Sequence, residues 1–288
     1  MKFIFIDGSY FVFFRFNALK SWWKLAHQGE DEGENIELVP HENEEFKNKF
    51  RKTFADKLKE IPKKLGIKKN EPYRIYVGQD CKQETIWRMK HMNAYKGTRP
   101  NTSIEGKFFE IVYSEKLFEN SLGDKCILKY PKLEADDVIA LSVKHIIEND
   151  ASGSNECYIV SSDGDYLQLC HERINIYDLK FKNLKMRNPA YFESESVKKM
   201  FVAKCLSGDK SDNIPSVFPK CGKKTAEKLA ELDNETIINE IRKKLKNEDE
   251  INAAIKQFEL NDLMMNFDKI PSEYSIPFLQ LNVNKFIC

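Results

Sequence analysis

No stretch of the chain approaches the ~20 consecutive apolar residues of a membrane-spanning helix, and Asp7 breaks the apolar N-terminus before it reaches signal-peptide length. The expectation is an intracellular protein. Cysteine pairing is absent as well: Cys81, Cys126, Cys157, Cys170, Cys205, Cys221 and Cys288 are odd in number, scattered, and never spaced CxxC. A disulfide framework and a thiolate zinc site are therefore excluded, and the cysteines read as reduced thiols. His27, His41, His91, His145 and His171 lie away from every acidic motif, so neither a His-based metal site nor a His general base is indicated. Net charge is almost absent: 46 Lys+Arg against 45 Asp+Glu leave +1 over 288 residues. As an average this argues against a polyanion binder. The inference fails unless the charges are evenly spread, and they are not.

What is present is segregated charge. Residues 28–45 carry eight acids and no Lys or Arg, whereas 47–69 hold ten bases against Asp56 and Glu60. Residues 82–107 add six bases against Glu84 and Glu105, and Lys220, Lys223, Lys224 and Lys228 cluster around Glu227. Acids concentrate again in short motifs at 134–137, 163–165 and 209–212. Basic blocks alternating with tight acidic clusters suit a chain that grips a polyanion and holds cations. With 41% hydrophobic residues, 20 of them Phe, there is also enough apolar material for a real core.

Five short β-rich runs, at 3–6, 74–77, 126–130, 157–161 and 174–177, are mostly continuous rather than alternating, as expected of strands covered on both faces. Helical patterns fall between them at 44–65, 103–120 and 133–148, which predicts a parallel α/β sheet. After residue 195 the pattern becomes all-helical. The expected division is a core at 1–195 and a smaller helical region at 196–288. In such sheets ligands sit beyond the carboxyl ends of the strands. Asp7, Asp80, Asp163 and Asp165 follow strands there, and Glu134, Asp136 and Asp137 open a helix just after one. Asp209 and Asp212 come from the helical region. So many carboxylates repel one another unless cations neutralise them, and oxygen-only ligands select hard ions, Mg²⁺ or Mn²⁺. Paired hard cations point to phosphoryl chemistry.

These blocks resemble the 5′-nuclease family, which includes flap endonucleases, bacteriophage 5′-exonucleases and the 5′-nuclease domain of bacterial DNA polymerase I. FIDGSYFVFFRF, VGQD, AYKGTRP, LEADDVIAL, IVSSDGDYLQL and CLSGDKSDNIPSVFPKCGKKTAEKL occur in the family's order. The resemblance implies a PIN-like parallel sheet flanked by helices, a helical arch at about 82–125 and a C-terminal helix–three-turn–helix duplex-binding region. It implies a structure-specific 5′-nuclease that hydrolyses flapped or 5′-ended DNA with two metal ions. One metal site would come from Asp7, Asp80, Glu134 and Asp136, with Asp137, Asp163, Asp165, Asp209 and Asp212 forming or supporting the second. Lys96 and Arg99 match arch cations; three apart on a helix, they would share a face toward the scissile phosphate. Tyr95 beside them would stack on a base. Arg15 and Arg88, with Gly222, Lys223, Lys224 and Thr225, would meet DNA, with a K⁺ ion at the helical clamp.

Three departures from the family pattern stand out. Arg15 lies eight residues after Asp7 where the family has seven, which leaves the base-stacking aromatic open between Phe13 and Phe14. The clamp turn SVFPKCGKKTA is one residue longer, with Ser216 and Lys220 near expected glycines. Residues 20–48, with Trp22 and Trp23, match no family motif and read as an inserted surface loop. Gln280, Val283, Phe286 and Ile287 have the spacing of a sliding-clamp-binding peptide, though a packed tail is the better reading. Substrates would include nicks, 5′ flaps and RNA primers, acted on by a monomer. Two rivals use the same acids less fully. A haloacid-dehalogenase-type phosphatase would use Asp163 and Asp165 but needs Thr or Val where Leu167 stands, and a non-catalytic branched-DNA binder would have lost metal ligands.

Overall fold

The first strand sets the layering. Strand β1 (Lys2–Asp7) places Phe3 and Phe5 in one core and Ile4 and Ile6 in another, all four fully buried, because successive side chains leave a strand on opposite faces. A strand buried on both faces belongs inside a sheet. β1 pairs in parallel with β2 (Tyr73–Gly78) and with β4 (Glu156–Val160). β3 (Ile127–Leu128) and β5 (Ile174–Tyr177) complete the order β3-β2-β1-β4-β5, parallel throughout. The expected α/β class and all five strands are present, with β3 shorter than anticipated. The computed structural model describes residues 1–27, 39–98, 103–187 and 189–287.

One face of the sheet is covered by α1 (Gly8–Ala26), α2 (Glu44–Lys64), α3 (Ser103–Ser114) and α4 (Leu117–Leu122). Helix α2 presents Phe46, Phe50, Phe54, Leu58 and Ile61 at helical spacing, and these pack with Phe11, Phe16, Phe108 and Phe118. Its basic residues occupy the other side. Lys47, Arg51 and Lys57 pair with acids, while Lys52, Lys59, Lys63 and Lys64 are exposed. The helix expected across 103–120 is two, parted where Lys116 takes φ +52. The inserted loop is also revised. Residues 20–26 finish α1, with Trp23 in the core, and 44–48 begin α2; residues 28–38 lie outside the described residues.

The opposite face carries α5 (Ala135–Glu148) and, from the far end of the chain, α10 (Ser272–Phe286). Phe278 and Phe286 share a cluster with Phe3, Phe5 and Val138. The Phe286 ring packs against Tyr76 at 5.6 Å, and the Lys285 carbonyl accepts from Arg74 Nη1 at 2.5 Å. The tail is therefore packed, as expected, a helix in which Phe286 is buried. Helices α6 (Ser194–Ser207), α7 (Lys223–Leu229), α8 (Asn234–Lys244) and α9 (Glu248–Met265) build a separate core around Leu206, Phe218, Ala226, Ile237 and Ile241.

Helix α6 ends at Gly208, with φ +73, and a short bridge between Asp209 and Ile214 closes the turn that carries Asp209 and Asp212. A Cβ at Gly208 would meet the Ile214 oxygen at 2.4 Å and the Pro215 carbonyl carbon at 2.5 Å. Gly208→Ala is expected to lower unfolding free energy by about 3 kcal/mol, from backbone strain plus overlap. Denaturant titration in EDTA measures this, and a loss under about 1 kcal/mol would mean the turn adapts easily.

Candidate metal centre

The carboxyl ends of the strands deliver the acids. Asp7 ends β1 and caps α1, accepting from the Tyr10 amide at 3.0 Å and from Ser161 Oγ at 3.2 Å. Asp80 follows β2; it accepts from the Ala135 amide at 2.8 Å and from Ser9 Oγ. Glu134 caps α5, and Asp136 follows in its first turn. Burial first, then the charge of Asp80, pushes the Asp7 carboxyl up to about 7. Burial and the charges of Asp137 and Glu134 push Asp136 well above the usual carboxylate range. A carboxylate that resists ionising in this way is one short of counter-charge. Hard divalent cations therefore fit this oxygen-only donor set.

One guanidinium organises the centre. Arg88, 2% exposed, clasps Asp137 with Nη1 and Nη2, each at 2.8 Å, and Glu134 Oε2 with Nη1 at 2.8 Å. Its Nε donates to the Met264 carbonyl at 2.6 Å. Asp137 also accepts from Trp87 Nε1 at 3.0 Å and from the Glu134 amide at 3.1 Å. Three of these four bonds fall on Asp137 Oδ2 and one on Oδ1; at about two lone-pair sites per oxygen, Oδ2 is fully committed. Glu134, Asp136 and Asp137 can each turn an oxygen to within 4.8 Å of the others, which groups Asp137 with the first set of acids and not the second. Although burial raises the Glu134 carboxyl, Lys96 and Arg88 outweigh it and hold it below its ordinary value.

The second set lies between a 3₁₀ turn, Gly164–Gln168, and the end of α6. Asp163 is exposed and caps that turn by accepting from the Asp165 amide at 2.9 Å. Lys204, on α6, bonds Asp165 and lies 2.8 Å from Asp209. Burial lifts the Asp165 carboxyl to about 6 despite Lys204. Asp209 goes the other way: Lys204 and Ser211 overcome its burial and hold it at about 2. Among the described residues, Asp163, Asp165, Asp209 and Asp212 form no trio as tight as the first. Lys204 escaped sequence reading; its place one helical turn before Gly208-Asp209 was the available signal.

Several expected DNA contacts are revised. Arg88 is a buried counter-ion and not a surface cation. Tyr95 is 3% exposed, with its hydroxyl 3.1 Å from both Glu134 Oε2 and Asp212 Oδ2, so it cannot stack on a base. Lys96 does reach the centre, bonding Glu134 and lying 3.9 Å from Asp212. It does so from a turn with φ +56, not from a helix face shared with Arg99, which lies outside the described residues. Of the two aromatics on α1, Phe13 is 52% exposed, whereas Phe14 packs beside Tyr10. Arg15 is partly buried, and burial lowers its guanidinium from its ordinary value. Gly222, Lys223 and Lys224 are exposed at the start of α7, with Thr225 half-buried. Lys220 takes φ +65, the left-handed conformation a glycine ordinarily supplies, so the lengthened turn keeps that backbone shape with a side chain on it.

Residues 2–201 match the sequence family described as 5′-3′ exonuclease, N-terminal resolvase-like domain. A flap endonuclease of Escherichia phage T5 is 24% identical over 216 residues, covering 69% of this chain and 71% of that protein. A 5′-3′ exonuclease of Buchnera aphidicola is 35% identical over 147 residues, 46% of each, so the chain aligns with under half of that relative. A bacteriophage T5 flap endonuclease solved as a pseudo-enzyme-product complex with DNA and metal ions superposes with a TM-score of 0.67. That match covers 99% of both chains at 15% identity, a likeness of fold.

Proposed function

The chain belongs to the 5′-3′ exonuclease family, and on that premise we propose that it is a structure-specific nuclease, dependent on Mg²⁺ or Mn²⁺, that hydrolyses phosphodiester bonds in flapped or 5′-ended DNA. The observation that carries this reading is the convergence of Asp7, Asp80, Glu134, Asp136, Asp163, Asp165, Asp209 and Asp212 around the strand ends, with ionisation of Asp7 and Asp136 suppressed. These eight would hold the cations. Asp137, with Oδ2 committed to Arg88, Trp87 and the Glu134 amide, positions Glu134 and supports the site. Divalent cations bound there supply activation of water and charge stabilisation at the phosphate.

The chain's own residues do the rest. Lys96 is placed between Glu134 and Asp212 to neutralise charge growing on the scissile phosphate. Lys223 and Lys224, with Gly222 and Thr225, would grip the duplex backbone without reading sequence. Phe13 is the exposed aromatic suited to stack on a base. A K⁺ ion at the turn before α7 and RNA-primed substrates belong to the same reading. The test is a cleavage panel of 5′-flap, nicked, gapped, overhang and RNA–DNA substrates, each in Mg²⁺ and in EDTA. Cation-dependent cleavage confined to 5′-ended or branched substrates is expected. Tight binding of branched DNA without cleavage in Mg²⁺ would leave a binding protein instead.

Lys96→Ala is expected to slow single-turnover flap cleavage by about 10²-fold, typical of losing one preorganised charge, with substrate Kd within about threefold. Equal losses in both would make Lys96 a phosphate anchor.

A further inference from the structure

The floor of the acidic rim contains a donor that nothing accepts. Tyr166 follows Asp165 in the 3₁₀ turn and is 0% exposed, and its hydroxyl has no hydrogen-bond partner. Its ring is fixed among Leu169 and Ile176 in the core, with Phe267 at 6.1 Å. Buried hydroxyls are almost always satisfied, and an orphan is costly enough to need a reason. A Phe at this position would keep the packing and avoid the orphan. The surroundings give the reason: the hydroxyl lies in the combined field of Asp7, Asp136, Asp163 and Asp80, acids from both halves of the rim. A phenol brings a neutral donor to a place otherwise lined by acceptors.

We propose that Tyr166 is a positioning residue whose hydroxyl is held for an oxygen that arrives with the divalent cation, a water of its hydration shell. No protein atom accepts from this hydroxyl, and an oxygen carried by the cation would. Cation binding therefore gains a hydrogen bond that the folded chain alone does not make. This rests on reading the rim as a divalent-cation site, and the experiment separates the two claims.

Tyr166→Phe removes one oxygen and no packing. Mn²⁺ binding to the full chain without DNA is measured by calorimetry for parent and variant, alongside thermal melting of both in EDTA. The variant is expected to bind Mn²⁺ about tenfold more weakly while melting at the same temperature as the parent, or higher, because an unsatisfied hydroxyl has been deleted. A purely structural tyrosine gives the opposite pattern, a lower melting temperature with unchanged Mn²⁺ affinity, and that result overturns the inference. Equal affinity with equal melting overturns it as well. A parent that binds no Mn²⁺ overturns the cation-site reading itself.

Discussion

Replacing Asp163 and Asp165 together by Ala is expected to reduce cleavage of a 5′-flap substrate by about 10³-fold or more. A bound cation contributes several kcal/mol at the transition state, and each 1.36 kcal/mol is a factor of ten. Binding should survive. Asp163 is exposed and only caps a short turn, a role whose loss typically costs about 1 kcal/mol. Asp165 faces Lys204, which keeps Asp209 as a partner 2.8 Å away when Asp165 is gone. The change also removes two negative charges from a surface that meets phosphate, so affinity in EDTA should hold or rise. Single-turnover cleavage and equilibrium binding measured on one substrate decide the matter. Undiminished cleavage in Mg²⁺ by the double variant would sink the assignment of these acids to a cation.

The second large effect is on stability. Arg88→Met keeps the unbranched apolar stem and removes the guanidinium that Asp137 and Glu134 share. Breaking one side of a buried pair leaves an uncompensated ion and typically costs 3–5 kcal/mol, about 4 here. For a chain of this size that corresponds to a fall in melting temperature of about 7 °C. Adding Asp137→Leu should recover part of the loss, since replacing both partners of a buried pair with apolar groups is often close to neutral. Thermal melts of the parent, the single and the double variant in EDTA are enough. If the single change costs under about 1 kcal/mol, the guanidinium is not the counter-ion its geometry implies.

The legible part of this protein was its local part. A strand such as FIFI announced itself because both faces are buried, so no polar residue interrupts it; YRIYV carries Arg74 near its exposed start and runs apolar only where it becomes buried. The acids were legible because Asp7 closes β1, Asp80 and Asp163 lie two and three residues past β2 and β4, and Glu134 and Asp136 open the helix that follows β3, where a parallel sheet gathers its ligand-binding loops. Arg88 and Tyr95 misled for the converse reason. A cation and an aromatic in a basic stretch look like nucleic-acid contacts. Only the return of Met264 and Asp212, 176 and 117 residues away, turns them inward. Lys204 was hidden likewise, because its partner Asp165 is 39 residues upstream on another element. The expected single helix at 103–120 failed on one residue, since a left-handed Lys116 is a backbone event that the apolar period does not report.

The Arg88–Met264 bond has a mechanical meaning. The guanidinium is a strut: one end is pinned to two carboxylates at the start of α5, the other to the last turn of α9. Charge-assisted bonds of this length tolerate little stretch. An ångström of travel by the end of α9 must either break one or drag Glu134 and Asp137 along. The spacing of Glu134 and Asp137 is thus referenced to the end of α9, and part of whatever load the helical layer bears reaches the centre through this side chain.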